Sequence, residues 1–110
     1  MLEKPNRLRG KRLFQEIFSH GKRVFIKGVG CFSLPLKDDT LVVGVTFTQK
    51  AFPKAVTRHR YKRLALHLIR QEIASLPRGK ALVFHFQRPL AALSASVLRA
   101  ILYELIKRSH

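Results

Sequence analysis

The chain has 110 residues, enough for one domain with a hydrophobic core, since 46% of them are hydrophobic and 9% are aromatic. It carries 22 Lys and Arg residues against 6 Asp and Glu residues, a formal net charge of +16, which indicates a polyanionic partner. No apolar run approaches the ~18 residues of a membrane span, and no signal-peptide core follows the first residues. The single cysteine, Cys31, excludes an internal disulfide and a cysteine-based zinc site, and is typical of a reducing compartment. These features predict a small cytoplasmic domain that binds a polyanion.

Three helices are predicted from apolar periodicity and capping residues. The first covers residues 10–20 and ends in a left-handed glycine cap at Gly21. A longer helix has Pro53 in its first turn and extends to about residue 75, before Pro77. A last helix begins at a serine cap, either Ser94 or Ser96.

Four strands are predicted from β-branched and aromatic residues, at residues 23–27, 31–36, 41–48 and 81–86. Gly28-Val29-Gly30 is expected to separate the first two. The resulting order, α-β-β-β-α-β-α, predicts an α+β sandwich in which helices pack on a four-stranded sheet. Neither a linker nor a repeat interrupts the chain, so residues 1–110 are expected to form a single domain, with residues 1–8 as a loose lead-in.

The long helix is predicted to be strongly basic on one side. Residues 50–70 contain seven Lys and Arg residues and no acid. At 100° per residue Arg60, Arg63, His67 and Arg70 share one stripe, while the apolar side chains lie mostly on the opposite side. A helix N-terminus offers free backbone N–H groups to phosphate, and arginine binds phosphate through two donors at once. A solvated basic face is the alternative, but the absence of acids favours a polyanion-binding surface, for DNA or RNA.

The residue types needed for protein-based phosphodiester cleavage are poorly placed in this sequence. Two-metal cleavage requires several converging carboxylates, whereas the six acids are expected in the lead-in, one turn and three separate helices. The five histidines show no metal-binding spacing, and Cys31 is interpreted as a core residue. We therefore predict no catalytic and no metal-binding residue. Metal-free cleavage by a histidine pair is the one catalytic alternative left open.

Several segments together resemble one protein family. Residues 50–64, KAFPKAVTRHRYKRL, are similar to a helix signature in which Lys and Ala precede Arg-Asn-Arg-x-Lys-Arg, with His59 in place of the asparagine. Residues 14–21, FQEIFSHG, are similar to the pattern Phe-x-x-Val/Ile-Phe-x-x-Gly. Residues 41–48 resemble the family's third strand, and residues 86–89, FQRP, resemble the exit from its fourth. In this order and spacing the chain resembles the bacterial ribonuclease P protein subunit over essentially its full length.

The resemblance implies a fold like domain 2 of ribosomal protein S5 and a function in the endonucleolytic 5′ maturation of tRNA. In that family the RNA subunit performs the hydrolysis, so the chain is expected to belong to an endoribonuclease without carrying its chemistry. The expected cofactor, Mg²⁺, is held mainly by the RNA. The expected partners are the catalytic RNA and precursor tRNA, with one protein monomer for each catalytic RNA, and no membrane.

The resemblance also assigns residues to these two partners. The residues expected to face the catalytic RNA are Lys50, Lys54, Arg58, His59, Arg60, Lys62 and Arg63. The 5′ leader of the precursor is expected in a cleft between the long helix and the sheet, in contact with Phe14, Phe18, Phe32 and Arg88. Without the resemblance the three phenylalanines are interpreted as core residues. The alternative function is that of a structural, ribosomal-type RNA-binding protein, which would have the same charge and size and so cannot be distinguished by composition. A DNA-binding module is disfavoured by the absence of a helix-turn-helix pattern.

Overall fold

The order of the helices and strands is the one predicted from the sequence. The computed structural model describes residues 11–37, 39–72, 76, 78–90 and 93–108, so the predicted lead-in lies outside the described residues. The helices are α1 (Lys11–His20), α2 (Ala55–Gln71) and α3 (Ala95–Arg108). The strands are β1 (Lys22–Ile26), β2 (Val29–Pro35), β3 (Leu41–Phe47) and β4 (Lys80–Phe86).

The four strands form one mixed sheet in the order β1-β2-β4-β3. β1 and β2 are antiparallel, as are β2 and β4, while β3 and β4 are parallel. A parallel pair needs a crossover connection, and α2 provides it. β1 and β2 are joined by Lys27 and Gly28, which have φ angles of 50° and 84°, as a tight hairpin turn requires. The prediction that Gly30 also separates these strands is wrong, because β2 already begins at Val29.

Helices cover the two faces of the sheet differently. α2 and α3 pack on one face, where their buried side chains meet strand residues that include Val43, Phe84 and Phe86. α1 packs on the other face, where Ile17 contacts a smaller cluster with Phe32 and Val83. Strand residues alternate between the two clusters because successive side chains of a strand point to opposite faces. Burial of each large apolar side chain contributes about 2 kcal/mol.

Three predicted helix ends are corrected by the structure. Gly21 does not adopt the left-handed conformation, and it is required instead by close approach, since a Cβ there would lie 2.4 Å from the Ile17 carbonyl oxygen. α2 begins at Ala55 rather than near Pro53, because its N-cap Lys54 is extended, with φ −92° and ψ 126°. It ends at Gln71, and residues 73–75 lie outside the described part.

The serine that caps the last helix is identified by its hydrogen bond. The Val97 backbone N–H donates to the Ser94 hydroxyl over 3.2 Å, so Ser94 and not Ser96 is the N-cap of α3. None of the helices in the described ranges is both long and apolar enough to cross a bilayer.

Candidate nucleic-acid interface

Five rings lie together on the α1 face of the sheet, and we refer to them as the aromatic platform: Phe14, Phe18, Phe25, Phe32 and His85. The Phe32 ring is at their centre, with its centroid 4.8 Å from that of Phe18, 5.7 Å from that of Phe25 and 6.4 Å from that of His85. Phe14 extends the group along α1, at 6.5 Å from Phe18. The Phe32 side chain is 6% exposed, whereas that of Phe25 is 44% exposed. The platform therefore closes a small core and presents aromatic surface to solvent.

Strand pairing explains why these rings meet. Gly30 of β2 lies between Phe25 of β1 and His85 of β4 in the register of the sheet. A Cβ on Gly30 would lie 2.5 Å from a carbon of the Phe25 ring, so the missing side chain allows this ring to lie across the sheet. Phe32 pairs with Val83 of β4, which is two residues before His85. The Phe32 side chain therefore lies on the same face of the sheet as those of Phe25 and His85.

Cationic side chains border the platform. The Arg23 guanidinium lies 5.8 Å from the centroid of the Phe32 ring and donates a 3.4 Å hydrogen bond to the Phe18 carbonyl oxygen. The Arg88 side chain rests against Gly28, where a Cβ would lie 2.7 Å from its Nε. Both arginines are exposed. A flat cation beside aromatic faces is the combination that binds the bases and the backbone of single-stranded RNA.

His85 is held between two threonines, Thr46 in β3 and Thr48 directly after it. Its Nδ1 lies 2.7 Å from the Thr46 hydroxyl oxygen, and its Nε2 lies 3.0 Å from the Thr48 hydroxyl oxygen. The ring is partly buried, and burial lowers the pKa of His85 below its ordinary value of 6.5. The imidazole is therefore neutral at pH 7, with one ring nitrogen donating to a threonine and the other accepting from one.

The second part of the interface is the basic segment, which consists of Lys50, Lys54, Arg58, His59, Arg60, Lys62 and Arg63. Its side chains are exposed apart from that of Arg58, which is partly buried and donates a 2.7 Å hydrogen bond to the Phe52 carbonyl oxygen. The first turn of α2 contains no acid, and its N-cap makes no side-chain hydrogen bond. No ion pair joins a cation of this segment to a described acid. The segment thus presents concentrated, unneutralised positive charge.

The opposite side of α2 keeps the basic segment in place. Tyr61, Ala65, Leu68 and Ile69 are buried against the sheet, as the periodicity predicted. The Tyr61 hydroxyl accepts a 2.9 Å hydrogen bond from the Leu90 backbone N–H, which ties α2 to the chain after β4.

Backbone hydrogen bonds bring the platform and the basic segment to the same end of the sheet. The Thr48 N–H donates to the Phe86 carbonyl oxygen over 3.0 Å, and the Gln87 N–H donates to the Gly28 carbonyl oxygen over 2.9 Å. The end of β3, the end of β4 and the β1–β2 turn therefore lie side by side. The Thr48 hydroxyl is hydrogen-bonded to His85 of the platform, and Lys50 follows Thr48 by two residues. The basic segment therefore begins next to the platform.

The structure brings Phe14, Phe18 and Phe32 together but corrects the location of the cleft. Phe14, Phe18 and Phe32 lie on the face that α1 covers, whereas α2 packs on the opposite face. The expected cleft between the long helix and the sheet is therefore wrong, and the aromatic surface lies between α1 and the sheet. Arg88 lies at the same end of the sheet, against Gly28.

Five residues of this surface were missed in the sequence: Arg23, Phe25, Thr46, Thr48 and His85. Alternation along β1 was the available signal for Arg23 and Phe25, which are two residues apart and so share a face. No local signal joins His85 to the threonines, because 37 and 39 residues separate them in the chain.

The interface contains no arrangement typical of a protein-based nuclease. Within the ranges that the structure describes, no group of three or more His, Cys, Asp or Glu residues is placed to hold a metal ion. Cys31 is fully buried, as expected of a core residue. The described surface offers cations, aromatic rings and hydroxyl groups, which are the groups that contact phosphates and bases in nucleic-acid complexes.

The family model described as Ribonuclease P matches residues 2–110. The chain belongs to the ribonuclease P protein family. Among curated relatives, it is 34% identical to the ribonuclease P protein component of Thermobifida fusca (strain YX), over 91% of this chain and 73% of that protein. It is 28% identical to the ribonuclease P protein component of Synechococcus sp. (strain JA-2-3B'a(2-13)), over 99% of this chain and 85% of that protein.

Solved structures of RNase P proteins share the fold. The RNase P protein from Thermotoga maritima superposes with a TM-score of 0.85 at 26% identity, over 94% of this chain and 97% of that one. The RNase P protein of Staphylococcus aureus, at 19% identity, superposes with a TM-score of 0.84 over 96% of this chain and 95% of that one. The α+β architecture and the family resemblance predicted from the sequence are both confirmed.

Proposed function

We propose that the chain is the protein subunit of a cytoplasmic ribonuclease P holoenzyme. It binds the catalytic RNA through the basic segment and the 5′ leader of precursor tRNA on the aromatic platform, and so promotes the endonucleolytic 5′ maturation of tRNA. The observation that carries this proposal is the junction of an unneutralised basic helix with an aromatic surface at one end of the sheet. Two RNA segments that meet at a cleavage site require adjoining surfaces of this kind.

The two surfaces suit two different kinds of RNA contact. Exposed cations such as Arg60 and Arg63 match the phosphates of a folded RNA, because each guanidinium can grip two oxygens without losing its charge. The platform suits the unpaired leader, because stacking of a base on an aromatic ring contributes about 1–3 kcal/mol and tolerates any base. Arg23 and Arg88 are placed to contact the backbone of a strand that lies on these rings.

In this proposal hydrolysis takes place in the RNA subunit, which holds the Mg²⁺ ions. The described carboxylates support this division, since Glu16, Glu72 and Glu104 belong to three different helical regions and Asp39 lies between β2 and β3. No metal-binding group forms among the described residues. The protein contributes by neutralising phosphates and by orienting the leader. Its effect is therefore expected to be largest when Mg²⁺ is limiting.

Reconstitution at low Mg²⁺ tests the proposal. Cleavage of a precursor tRNA is measured with the catalytic RNA alone, the protein alone, and both together. We expect cleavage at the mature 5′ end by the mixture only. Cleavage by the protein alone would point to a histidine mechanism. Tight RNA binding without any gain in cleavage would instead favour a structural RNA-binding protein.

Charge-matched variants separate the basic segment from general electrostatic attraction. The double variant Arg60→Ala/Arg63→Ala removes two exposed cations from α2, and Lys107→Ala/Arg108→Ala removes two exposed cations from the end of α3. We expect the first to reduce holoenzyme cleavage at limiting Mg²⁺ and the second to have little effect. Equal losses would mean that only the total charge of the protein matters.

Phe18→Ala tests the leader surface in the same holoenzyme. The Phe18 ring contacts those of Phe14, Phe32 and His85. Its loss should weaken binding of precursor tRNA more than binding of mature tRNA, because only the precursor carries a leader. Equal weakening for both RNAs would contradict leader binding on the platform, provided that the variant unfolds in the same cooperative transition as the parent protein.

A further inference from the structure

Thr46 and Thr48 form a polar group with His85 at the edge of the aromatic platform. The imidazole lies between two hydroxyl groups, with Nδ1 2.7 Å from Thr46 Oγ1 and Nε2 3.0 Å from Thr48 Oγ1. All three residues are partly exposed, so the group lies at the surface of the protein and not in its core. The Phe18 and Phe32 rings meet the imidazole edge-to-face, at centroid distances of 5.9 and 6.4 Å.

The protonation state of His85 determines what the two hydroxyls offer to a ligand. A neutral imidazole has one N–H group and one bare nitrogen, so one threonine accepts a hydrogen bond and the other must donate its only proton to the ring. The donating threonine then presents only lone pairs to the platform, and these repel an anion. In the imidazolium both nitrogens donate, both hydroxyls accept, and both O–H groups are free to donate outwards.

No charged side chain among the described residues bonds to His85, so a bound ligand can determine whether the imidazole is protonated. From β1, the Arg23 guanidinium lies over the Phe32 ring, which is next to His85. From α1, Glu16 and His20 are exposed and neither bonds to His85. β2 contributes Phe32 and Gly30, and the end of β3 and the residue after it contribute the two threonines. Arg88, beyond the end of β4, rests against Gly28. No described carboxylate forms an ion pair with His85.

We infer that Thr46, His85 and Thr48 form a phosphate-binding subsite, in which His85 takes up a proton when the backbone of a single-stranded RNA binds to the platform. The phosphates supply the negative charge that this face lacks, and the protonated group supplies one cation and two outward O–H donors. The two hydroxyls lie on opposite sides of the ring and so contact different oxygens along the strand. This inference rests on the proposed function, because it takes the bound strand to be the leader.

The sign of the pH dependence follows from the direction of proton uptake. Burial keeps the pKa of His85 below 6.5 in the RNA-free protein, and nearby phosphates raise it in the complex. Binding therefore strengthens as the pH falls through the interval between the two values, and is constant outside it. A rise of one pKa unit on binding corresponds to about a tenfold gain in affinity.

The test uses the reconstituted holoenzyme and a precursor tRNA made uncleavable at the scissile position. Dissociation constants for the precursor and for mature tRNA are measured from pH 8 to pH 5.5 at constant ionic strength. Their ratio isolates the leader from pH effects on the rest of the complex. We expect this ratio to favour the precursor about five- to tenfold more at the low end of the range than at the high end.

Two variants and one control assign the effect to the subsite. His85→Gln keeps hydrogen-bonding capacity but cannot take up a proton, so its ratio should not change with pH. Thr48→Val removes one hydroxyl at nearly constant volume and should reduce both the ratio at low pH and its pH dependence. His20→Gln changes an exposed histidine at the end of α1 and should retain the pH dependence of the parent protein.

A direct measurement keeps the inference testable if the His85→Gln variant does not fold. NMR titration of the imidazole protons in the full chain, without and with a leader oligonucleotide, gives the pKa of His85 in each state. An unchanged or lower pKa in the complex would overturn the inference. A pH-independent precursor preference that His85→Gln leaves intact would overturn it as well, while leaving the proposed function in place. Absence of any precursor preference would contradict the proposed function itself.

Discussion

At the scale of single residues, the platform depends on the absence of one side chain. Gly30 lies under the Phe25 ring, and a Cβ there would lie 2.5 and 2.9 Å from two of its ring carbons. The ring is 44% exposed, so it can swing away from an added methyl group without disturbing the core. Gly30 is thus important for the shape of the aromatic surface more than for the stability of the fold.

Gly30→Ala is expected to weaken leader binding at little cost in stability. The free energy of unfolding should change by less than about 1 kcal/mol, because only an exposed ring must move. The preference of the holoenzyme for precursor over mature tRNA should fall by about fivefold or more, the equivalent of one lost stacking contact of ~1 kcal/mol. Urea unfolding and tRNA binding measure the two quantities. Phe25→Ala should show the same binding defect. If Phe25→Ala weakened binding and Gly30→Ala did not, the Phe25 ring would tolerate a methyl group at position 30, and the prediction would be wrong.

His85 also makes the stability of the RNA-free protein depend on pH. Burial lowers the pKa of His85 in the folded state, whereas in the unfolded chain it is about 6.5. Between the two values the unfolded chain binds more protons, so stability rises with pH there. The contribution of neutral His85 is complete above about pH 6.5 and is lost as the pH falls to the folded-state value.

The difference between the parent protein and His85→Gln isolates this contribution, because other titrating groups cancel. Urea midpoints measured from pH 8 to pH 5 should show the parent losing stability relative to the variant as the pH falls below about 6.5. A difference that is independent of pH would show that His85 has the same pKa in the folded and unfolded states.

At the scale of helices and strands, α2 combines a buried face with an exposed basic one, and Arg58 belongs partly to each. It is four residues after the N-cap Lys54, and its guanidinium donates to the Phe52 carbonyl oxygen over 2.7 Å. That carbonyl belongs to the loop whose Ala51 and Phe52 N–H groups bond to Thr48. Arg58 therefore stabilises the connection between β3 and α2, while Arg60 is exposed and has no such partner in the described structure.

Arg58→Ala and Arg60→Ala should consequently differ in stability and agree in their effect on RNA. We expect Arg58→Ala to lower the free energy of unfolding by about 1–2 kcal/mol, since it removes a partly buried charged donor. Arg60→Ala should change it by less than about 0.5 kcal/mol. Both should lower holoenzyme cleavage at limiting Mg²⁺. Equal urea midpoints for the two variants would contradict the structural role of Arg58.

The sequence predicted the features of these elements that depend on neighbouring residues. The order of helices and strands, the serine cap of α3 and the two sides of α2 follow from local periodicity and hydrogen bonding. The face of the sheet on which each helix packs depends on strand order, which is not local. For this reason the three phenylalanines were grouped correctly, yet their cleft was assigned to α2 instead of α1.

At the scale of the whole molecule, the net charge of +16 opposes folding in the absence of an anion. The ion pair between Arg108 and Glu104, on the exposed side of α3, does not involve the basic segment. The exposed cations of the basic segment therefore repel one another across the surface of the folded protein. They are farther apart in an unfolded chain, so a multivalent anion should bind the folded state preferentially.

Millimolar sulfate is expected to raise the urea midpoint of the RNA-free protein relative to chloride at equal ionic strength. The gain should follow RT ln(1 + [sulfate]/Kd), reaching about 2.7 kcal/mol at a concentration one hundred times Kd. At such low concentrations the general effect of sulfate on protein hydration is small, and it is the same for all variants. Arg60→Ala/Arg63→Ala should reduce the gain, whereas Lys107→Ala/Arg108→Ala should retain it. If the midpoint did not respond to sulfate, or responded equally in both variants, the basic segment would not be a site where anions bind to the folded state.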